Sequence, residues 1–181
     1  MRRFILLATL AALLAPSGAL AIDTSAYYNL VVAARQDNTQ DVRTFLAQNV
    51  NPNITDSSGR TALSYAAASN NAEIAQMLLD AGATPDLRDN GGNAPLYYAA
   101  VGGHLELLQL LIKAHASVDS QNRQGVTPLM AAADAGQARS VRALLAAGAD
   151  PRKQDFTGRD ALSWAVGRPA VLSVLREAQH R

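Results

Sequence analysis

DSSGRTALSYAA, the segment from Asp56 to Ala67, decides the fold because related segments follow it at a fixed interval. Each begins 33 residues after the one before. They read DNGGNAPLYYAA from Asp89, NRQGVTPLMAAA from Asn122 and DFTGRDALSWAV from Asp155. A constant period of this size predicts a stacked solenoid, in which each repeat buries its apolar face against its neighbours.

The local chemistry of one repeat predicts a β-hairpin or turn followed by two antiparallel helices. Asp56 can accept hydrogen bonds from nearby backbone N–H groups, and Gly59 can adopt the positive φ that a tight turn needs. Thr127-Pro128 is typical of a helix start, with a capping hydroxyl followed by proline in the first turn. Leu111-Ile112 marks the apolar core of the second helix. Gly82 stands where such a helix ends in a left-handed residue.

Three aromatic residues recur at one position of the first helix, just before a pair of small residues: Tyr65, Tyr98 and Trp164. They either pack between adjacent repeats or form a row of anchors for a partner, and we favour packing. Tyr97 lies on a different face of the same helix and is more open to a binding role.

The first 21 residues predict a cleaved secretory signal peptide. Arg2 and Arg3 precede an apolar run from Phe4 to Leu14, and small residues up to Ala21 supply the expected cleavage site. The alternative is an uncleaved membrane anchor, but the apolar run is too short to span a bilayer comfortably. We therefore expect a periplasmic or secreted protein of residues 22–181 that does not insert in the membrane.

Composition limits the partners and the chemistry. The chain carries 16 basic and 15 acidic residues; loss of Arg2 and Arg3 leaves a net charge of about −1, which does not favour nucleic-acid binding. Residues 22–119 are mainly acidic and residues 120–181 mainly basic, a gradient that either orients a partner or has no meaning. The absence of cysteine excludes disulfides and thiol chemistry.

No catalytic or metal-binding constellation is evident. The three histidines are His104, His115 and His180, and no two of them stand with a carboxylate at metal-ligand spacing. The aspartates that open the repeats recur because turns need them. We expect neither an active site nor a cofactor nor a metal, although an enzyme of unrecognised type remains a third possible class.

The repeated motifs resemble the ankyrin-repeat family. The similarity rests on the turn Asp-x-x-Gly-x-Thr-Pro-Leu, the Ala-Ala step, Gly103-His104 before a second helix, and the Leu-Leu-x-x-Gly-Ala end. It spans residues 23–181 and implies an all-α solenoid of about five repeats in a single domain. The expected bounds are 23–55, 56–88, 89–121, 122–154 and 155–181, the outer two serving as caps. The second helix of the last repeat is expected to be shortened and to begin near Pro169.

The resemblance implies protein recognition through the turn tips and the first helices. Phe156 is the first candidate, because an exposed aromatic residue at a loop tip has little structural purpose. The predicted partner-binding residues are Ser57, Ser58, Arg60, Asn90, Asn93, Tyr97, Arg123, Gln124, Val126, Phe156, Thr157 and Arg159. The groove positions carried over on the helices are Ala68, Ser69, Val101, Gly102, Asp134 and Ala135.

The functional expectation is a monomeric, non-catalytic protein–protein interaction module in the bacterial periplasm. Two more specific versions stay open: an inhibitor or immunity protein against an envelope toxin or enzyme, and a scaffold or chaperone that stabilises an exported enzyme. The basic tips, Arg123 and Arg159 beside Phe156, suggest a partner with a carboxylate-rich edge and an apolar notch.

Overall fold

A computed structural model of the protein describes residues 24–179, which form ten α-helices arranged as five successive pairs. The predicted signal peptide lies outside the described residues. The helices are α1 (Thr24–Arg35), α2 (Thr39–Ala47), α3 (Ala62–Ser69), α4 (Ala72–Asp80), α5 (Pro95–Gly102), α6 (Leu105–Lys113), α7 (Pro128–Asp134), α8 (Ala138–Ala146), α9 (Ala161–Trp164) and α10 (Pro169–Gln179).

The helices stack in two layers. The first helices of the pairs, α1, α3, α5, α7 and α9, contact one another in chain order, and the second helices do the same. Because each helix contacts its own partner and the equivalent helix of the adjacent repeat, the core is continuous along the stack. The predicted all-α solenoid of five repeats is confirmed.

Matched residues build this core. The matched leucines of the first helices are fully buried at Leu30, Leu63, Leu96 and Leu129, one period apart. The small residues that follow them are also buried and let adjacent first helices approach closely; they include Ala67, Ala100 and Ala133. In the second helices Leu78, Leu111 and Leu144 are fully buried. Burial of one such leucine contributes about 1.5–3 kcal/mol to the stability of the fold. Adjacent repeats therefore stabilise one another.

Side chains cap the helices as the sequence predicts. The Oγ1 of Thr127 accepts a hydrogen bond from the amide of Met130, and Pro128 follows at the first helical position. Thr61 and Asp160 cap α3 and α9 in the same way, at 3.1 and 2.8 Å. These acceptors satisfy N–H groups that a helix start leaves without partners.

Of the predicted β-hairpin or turn, the structure has the turn. The described residues contain no strand, only one isolated bridge between Thr55 and Thr61. Each turn is closed by a pair of backbone hydrogen bonds such as Asp56 N–H to the Arg60 carbonyl and Gly59 N–H to the Asp56 carbonyl. The chain enters α3 at Ala62, so no length of extended backbone remains for a second strand.

The last repeat differs from expectation. Its second helix does begin at Pro169, but α10 is eleven residues long and is not shortened. The first helix is the short one, since α9 spans only four residues. Gly167, at φ +78°, and Pro169 are residues that end a helix. Val171, Val174 and Leu175 of α10 are buried and close the end of the core.

Candidate protein-binding surface

The turn tips form a continuous ladder along one edge of the solenoid. The amide of Asn90 donates to the carbonyl of Ser58 at 2.9 Å, and Arg123 and Phe156 repeat this bond to Gly91 and Gln124 at 3.0 Å. Each tip is therefore tied to the tip of the preceding repeat. A partner that contacts several tips meets a preorganised edge, which lowers the conformational cost of binding.

An aspartate organises three of the turns from within: Asp89 and Asp155 are buried, and Asp56 is partly buried. One carboxylate oxygen of Asp155 accepts hydrogen bonds from the amides of Thr157 and Arg159 at 2.8 and 3.0 Å. Asp56 and Asp89 hold their turns in the same way. Burial alone would raise the pKa of these carboxyls, but the hydrogen bonds outweigh it and hold each pKa below its ordinary value.

The second carboxylate oxygen binds the recurrent aromatic residue of the following helix. Asp56 accepts a hydrogen bond from the hydroxyl of Tyr65 at 2.6 Å, and Asp155 accepts one from the indole N–H of Trp164 at 3.0 Å. Tyr98 donates to Asp89 in the same manner; burial and this bond raise the pKa of Tyr98 to about 12. The three aromatic side chains are partly buried and pack against the core, so the packing interpretation is confirmed.

Arginines lie over all three of these aromatic rings, and the guanidinium of Arg60 is 5.5 Å from the ring centroid of Tyr65. The guanidinium of Arg60 lies 4.4 Å from the ring centroid of Tyr98 and pairs with Asp89 at 3.6 Å. Arg159 lies 4.0 Å from the ring of Trp164 and 3.1 Å from Asp155. Both were predicted to bind a partner. Both guanidinium groups are paired with carboxylates of this chain, so the two arginines shape the surface more than they offer it an unpaired positive charge.

The fourth repeat breaks this pattern at two matched positions. Asn122 replaces the turn aspartate, and Ala131 replaces the aromatic residue. Asn122 still accepts from the amides of Gln124 and Val126 through its Oδ1, while its Nδ2 donates to Asn93 at 2.9 Å. With no aromatic donor to accept from, the second carboxylate oxygen is not needed, and an amide nitrogen takes its place.

A cavity of about 400 Å³ opens where that aromatic ring is missing. Ala131 and Val126 lie beside it, Tyr97 and Trp164 line it, and Asp134 is among its charged residues. Asp134 was predicted to line the groove, whereas neither this cavity nor the role of Ala131 was predicted from the sequence. The sequence feature that could have indicated the cavity is Ala131, which stands at the position where three other repeats carry an aromatic residue.

The structure places the remaining predicted residues as follows. Ser57, Ser58, Asn90, Arg123, Gln124, Thr157 and Phe156 are exposed, whereas Asn93 and Tyr97 are partly buried. Ser58 and Thr157 each donate a hydroxyl hydrogen bond of 2.6 Å to the turn aspartate. Asn90 donates its side-chain amide to the Ser57 carbonyl at 3.0 Å. Several tip side chains thus stabilise the turns that display them.

Val126 was predicted to be an exposed tip residue, and this prediction is wrong. Its side chain is only 7% exposed and belongs to the core. Its amide donates to Asn122, as the amides of Arg60, Asn93 and Arg159 do to their turn aspartates. The burial therefore comes from the short apolar side chain of Val126, which packs against the core. Val126 therefore supports the floor of the surface and is not displayed at a tip.

Phe156 is the most exposed aromatic residue of the surface, at 72%. Its backbone joins the tip ladder, and its ring lies over Gly125, where an added Cβ would meet Phe156 Cδ1 at 2.7 Å. Arg123 occupies the equivalent tip position one repeat earlier and forms no ion pair among the described residues. An apolar ring and a free cation thus stand side by side at adjacent tips.

His104 has a structural role. Its Nε2 lies 3.2 Å from the carbonyl of Ala68, to which it donates. Gln137 and Arg168 form the corresponding bonds to the carbonyls of Val101 and Asp134 in later repeats. These bonds connect the end of one first helix to the next repeat. His104 is therefore part of the packing between repeats.

Within residues 24–179, no cluster of three histidine or carboxylate side chains is arranged to hold a metal ion. No helix in the same range is sufficiently long and apolar to cross a membrane.

The comparisons with known proteins agree with this architecture. The family model for ankyrin repeats in three copies matches residues 30–122 and 102–180. The two matches together cover most of the chain, which therefore belongs to the ankyrin-repeat family. Proteins of this family are generally protein–protein interaction modules. A search of curated proteins returned no match to the chain.

Proposed function

We propose that this protein is a non-catalytic binding module of the bacterial periplasm, which holds a partner protein through its turn tips and the groove beside the first helices. The observation that carries the proposal is Phe156, whose 72% exposed ring projects from the hydrogen-bonded tip ladder. Aromatic side chains on rigid supports are frequent anchors at interfaces, because little conformational entropy is lost when they are covered.

Arg123 gives this surface its charge preference. It is exposed, whereas Arg159 and Arg60 are already paired with carboxylates of this chain. The proposed partner therefore presents an apolar notch to Phe156 and a carboxylate to Arg123. Such a pair gives specificity and faster association more than affinity.

The signal peptide predicted from the sequence supports the proposed location. A basic start, an apolar run and small residues before Ile22 are the features of export by the general secretory route. N-terminal sequencing of the protein recovered from the periplasm should begin at Ile22. Recovery of the full-length chain in the membrane fraction would instead favour an uncleaved anchor.

The surface is tested by affinity capture from native periplasmic extract, with the captured proteins identified by mass spectrometry. Phe156→Ala combined with Arg123→Ala should remove the specific partner without changing the melting temperature. Val166→Ala is the matched control, because Val166 is a comparably exposed apolar side chain, at 77%, in the loop between α9 and α10, away from the tips. Equal capture by the double variant and the wild type would show that the tips do not bind.

Two versions of this role are separated by the partner's own behaviour. An inhibitor or immunity protein would lower the activity of a captured envelope enzyme in proportion to its occupancy. A scaffold or chaperone would leave that activity unchanged and slow its loss on heating. A toxin-like gene beside this one favours the first version, and a gene for a metabolic or stress enzyme favours the second.

A further inference from the structure

The cavity beside Ala131 combines features that the other repeats lack. In the neighbouring repeats the same space is taken by an aromatic ring bonded to a turn aspartate, as with Tyr98 and Trp164. In the fourth repeat a methyl group stands there and leaves about 400 Å³ between α5, α7 and the last turn. This volume accommodates one long side chain from another molecule.

The walls are aromatic. The ring of Tyr97 stands edge-on to Tyr98, with the centroids 5.6 Å apart, and so is held in place from behind. Trp164 is fixed by its indole bond to Asp155 and by Arg159 above its ring. Such preorganised rings attract a planar cation or an apolar group.

The available charge is negative. Arg159 and Asp155, which also line the cavity, neutralise each other at 3.1 Å. Asp134 is exposed and forms no ion pair among the described residues. Burial, followed by the charges of Asp134 and Asp89, raises the pKa of Tyr97, as expected for a hydroxyl in a negative field. The Tyr97 hydroxyl has no hydrogen-bond partner within residues 24–179, so its oxygen can accept a hydrogen bond from a bound group.

We propose that this cavity binds an arginine side chain of the partner protein, with the guanidinium between the rings of Tyr97 and Trp164 and directed to the Asp134 carboxylate. The inference rests on the proposed function, since it names the group that the groove receives. An arginine stem packs on Ala131 while its planar head stacks and donates to the carboxylate. A glutamate would face Asp134, and a leucine would leave the Asp134 carboxylate and the Tyr97 hydroxyl without new partners.

The direct test needs no partner. N-acetyl-arginine-N-methylamide is titrated into the mature protein and followed by the fluorescence of Trp164, the one tryptophan of the chain, and by amide chemical shifts. A saturable change with the arginine probe is expected, a weaker one with the lysine analogue, and none with the glutamate analogue. Equal responses to the leucine and arginine analogues, or no response to arginine, would overturn the proposal.

Two variants locate the site. Asp134→Asn should weaken probe binding about two- to fivefold, the range for an exposed ion pair, while Asp80→Asn, a matched exposed carboxylate on α4, should have no effect. Ala131→Tyr with Asn122→Asp rebuilds the aspartate–tyrosine pair of the neighbouring repeats and fills the cavity. It should abolish the saturable response without lowering the melting temperature; an unchanged response would place the probe elsewhere.

Partner capture distinguishes this inference from the proposed function. If the filled-cavity variant retains the partner that Phe156→Ala with Arg123→Ala loses, the tips bind and the cavity does not, so the arginine inference fails alone. If neither variant loses any specific partner, the proposed function fails as well. Loss of the partner in both variants supports the two together.

Discussion

Replacing His115 by glycine should make the protein more stable. His115 is one of four helix-end positions spaced one period apart, which all have positive φ: +59° at Asn49, +87° at Gly82, +64° at His115 and +90° at Gly148. At His115 the amide donates to the Ile112 carbonyl, and the next amide donates to that of Leu111. This arrangement ends the helix by a left-handed residue, which favours glycine.

The magnitude follows from two opposing terms. A residue with a β-carbon in the left-handed conformation costs about 1–2 kcal/mol. Removing this strain is partly offset, because glycine has more conformational freedom in the unfolded chain, which costs about 0.5–1 kcal/mol of stability. The His115 side chain is exposed and forms no hydrogen bond among the described residues, so its removal loses little. His115→Gly should therefore raise the free energy of unfolding by about 0.5–1 kcal/mol.

Urea unfolding followed by circular dichroism measures this difference, with thermal melting as a second reading. A gain of 1 kcal/mol corresponds to a rise of about 2–4 °C for a chain of this size. Gly148→Ala is the reverse control: a Cβ added there would meet no atom within 4 Å, so any loss reports backbone strain alone. That variant should be destabilised by about 1 kcal/mol.

The control decides how a contrary result is read. If Gly148→Ala destabilises the protein as expected but His115→Gly lowers the melting temperature, the imidazole forms a native contact that outweighs the strain. If both substitutions have no effect, the left-handed conformation does not cost what the argument requires, and the reasoning fails.

Two further predictions concern the core and the turns. Leu111→Ala should lower the free energy of unfolding by about 2–5 kcal/mol, because it opens a hole beside a fully buried position of the second-helix layer. Ser57→Ala at an exposed tip should change the same free energy by less than about 0.5 kcal/mol. Similar urea midpoints for the two variants would contradict the assigned core. Asp155→Asn should make the free energy of unfolding less dependent on pH in the acid range. The pKa of Asp155 is lower in the folded protein than in the unfolded chain. Its carboxylate therefore stabilises the fold above about pH 4, and this stabilisation is lost as the pH falls through the folded pKa. Melting temperatures of both proteins across the acid range test this, and parallel curves would show that the carboxylate is not linked to folding.

The repeat architecture was predictable from the sequence because its determinants are local. A turn glycine such as Gly59, a capping residue such as Thr127 and a core pair such as Leu111-Ile112 each act within a few residues of the chain. Repetition at a constant interval then determines that equivalent surfaces meet. The helix ends, including the left-handed His115, follow from the same short-range rules.

The packing of terminal elements was less predictable. The expected shortening of the last second helix was wrong, since Gly167 and Pro169 shorten α9 and leave α10 at full length. Val126 was predicted at a tip but is buried. Its place in the repeat is a turn, where the polar residues Arg60, Asn93 and Arg159 remain partly or fully exposed, whereas the apolar side chain of Val126 packs against the core.

The candidate site depends on contacts between repeats, which one repeat's sequence does not contain. Whether an arginine is free or paired is decided across space: Arg60 reaches Asp89 of the following repeat, while Arg123 pairs with no carboxylate of residues 24–179. The cavity exists because Ala131 lacks the ring that the neighbouring repeats carry at this position, while Tyr97 and Trp164 of those repeats line the space. Local sequence thus determined the module and its interval, whereas tertiary stacking decided which side chains face water, because exposure depends on what the neighbouring module covers.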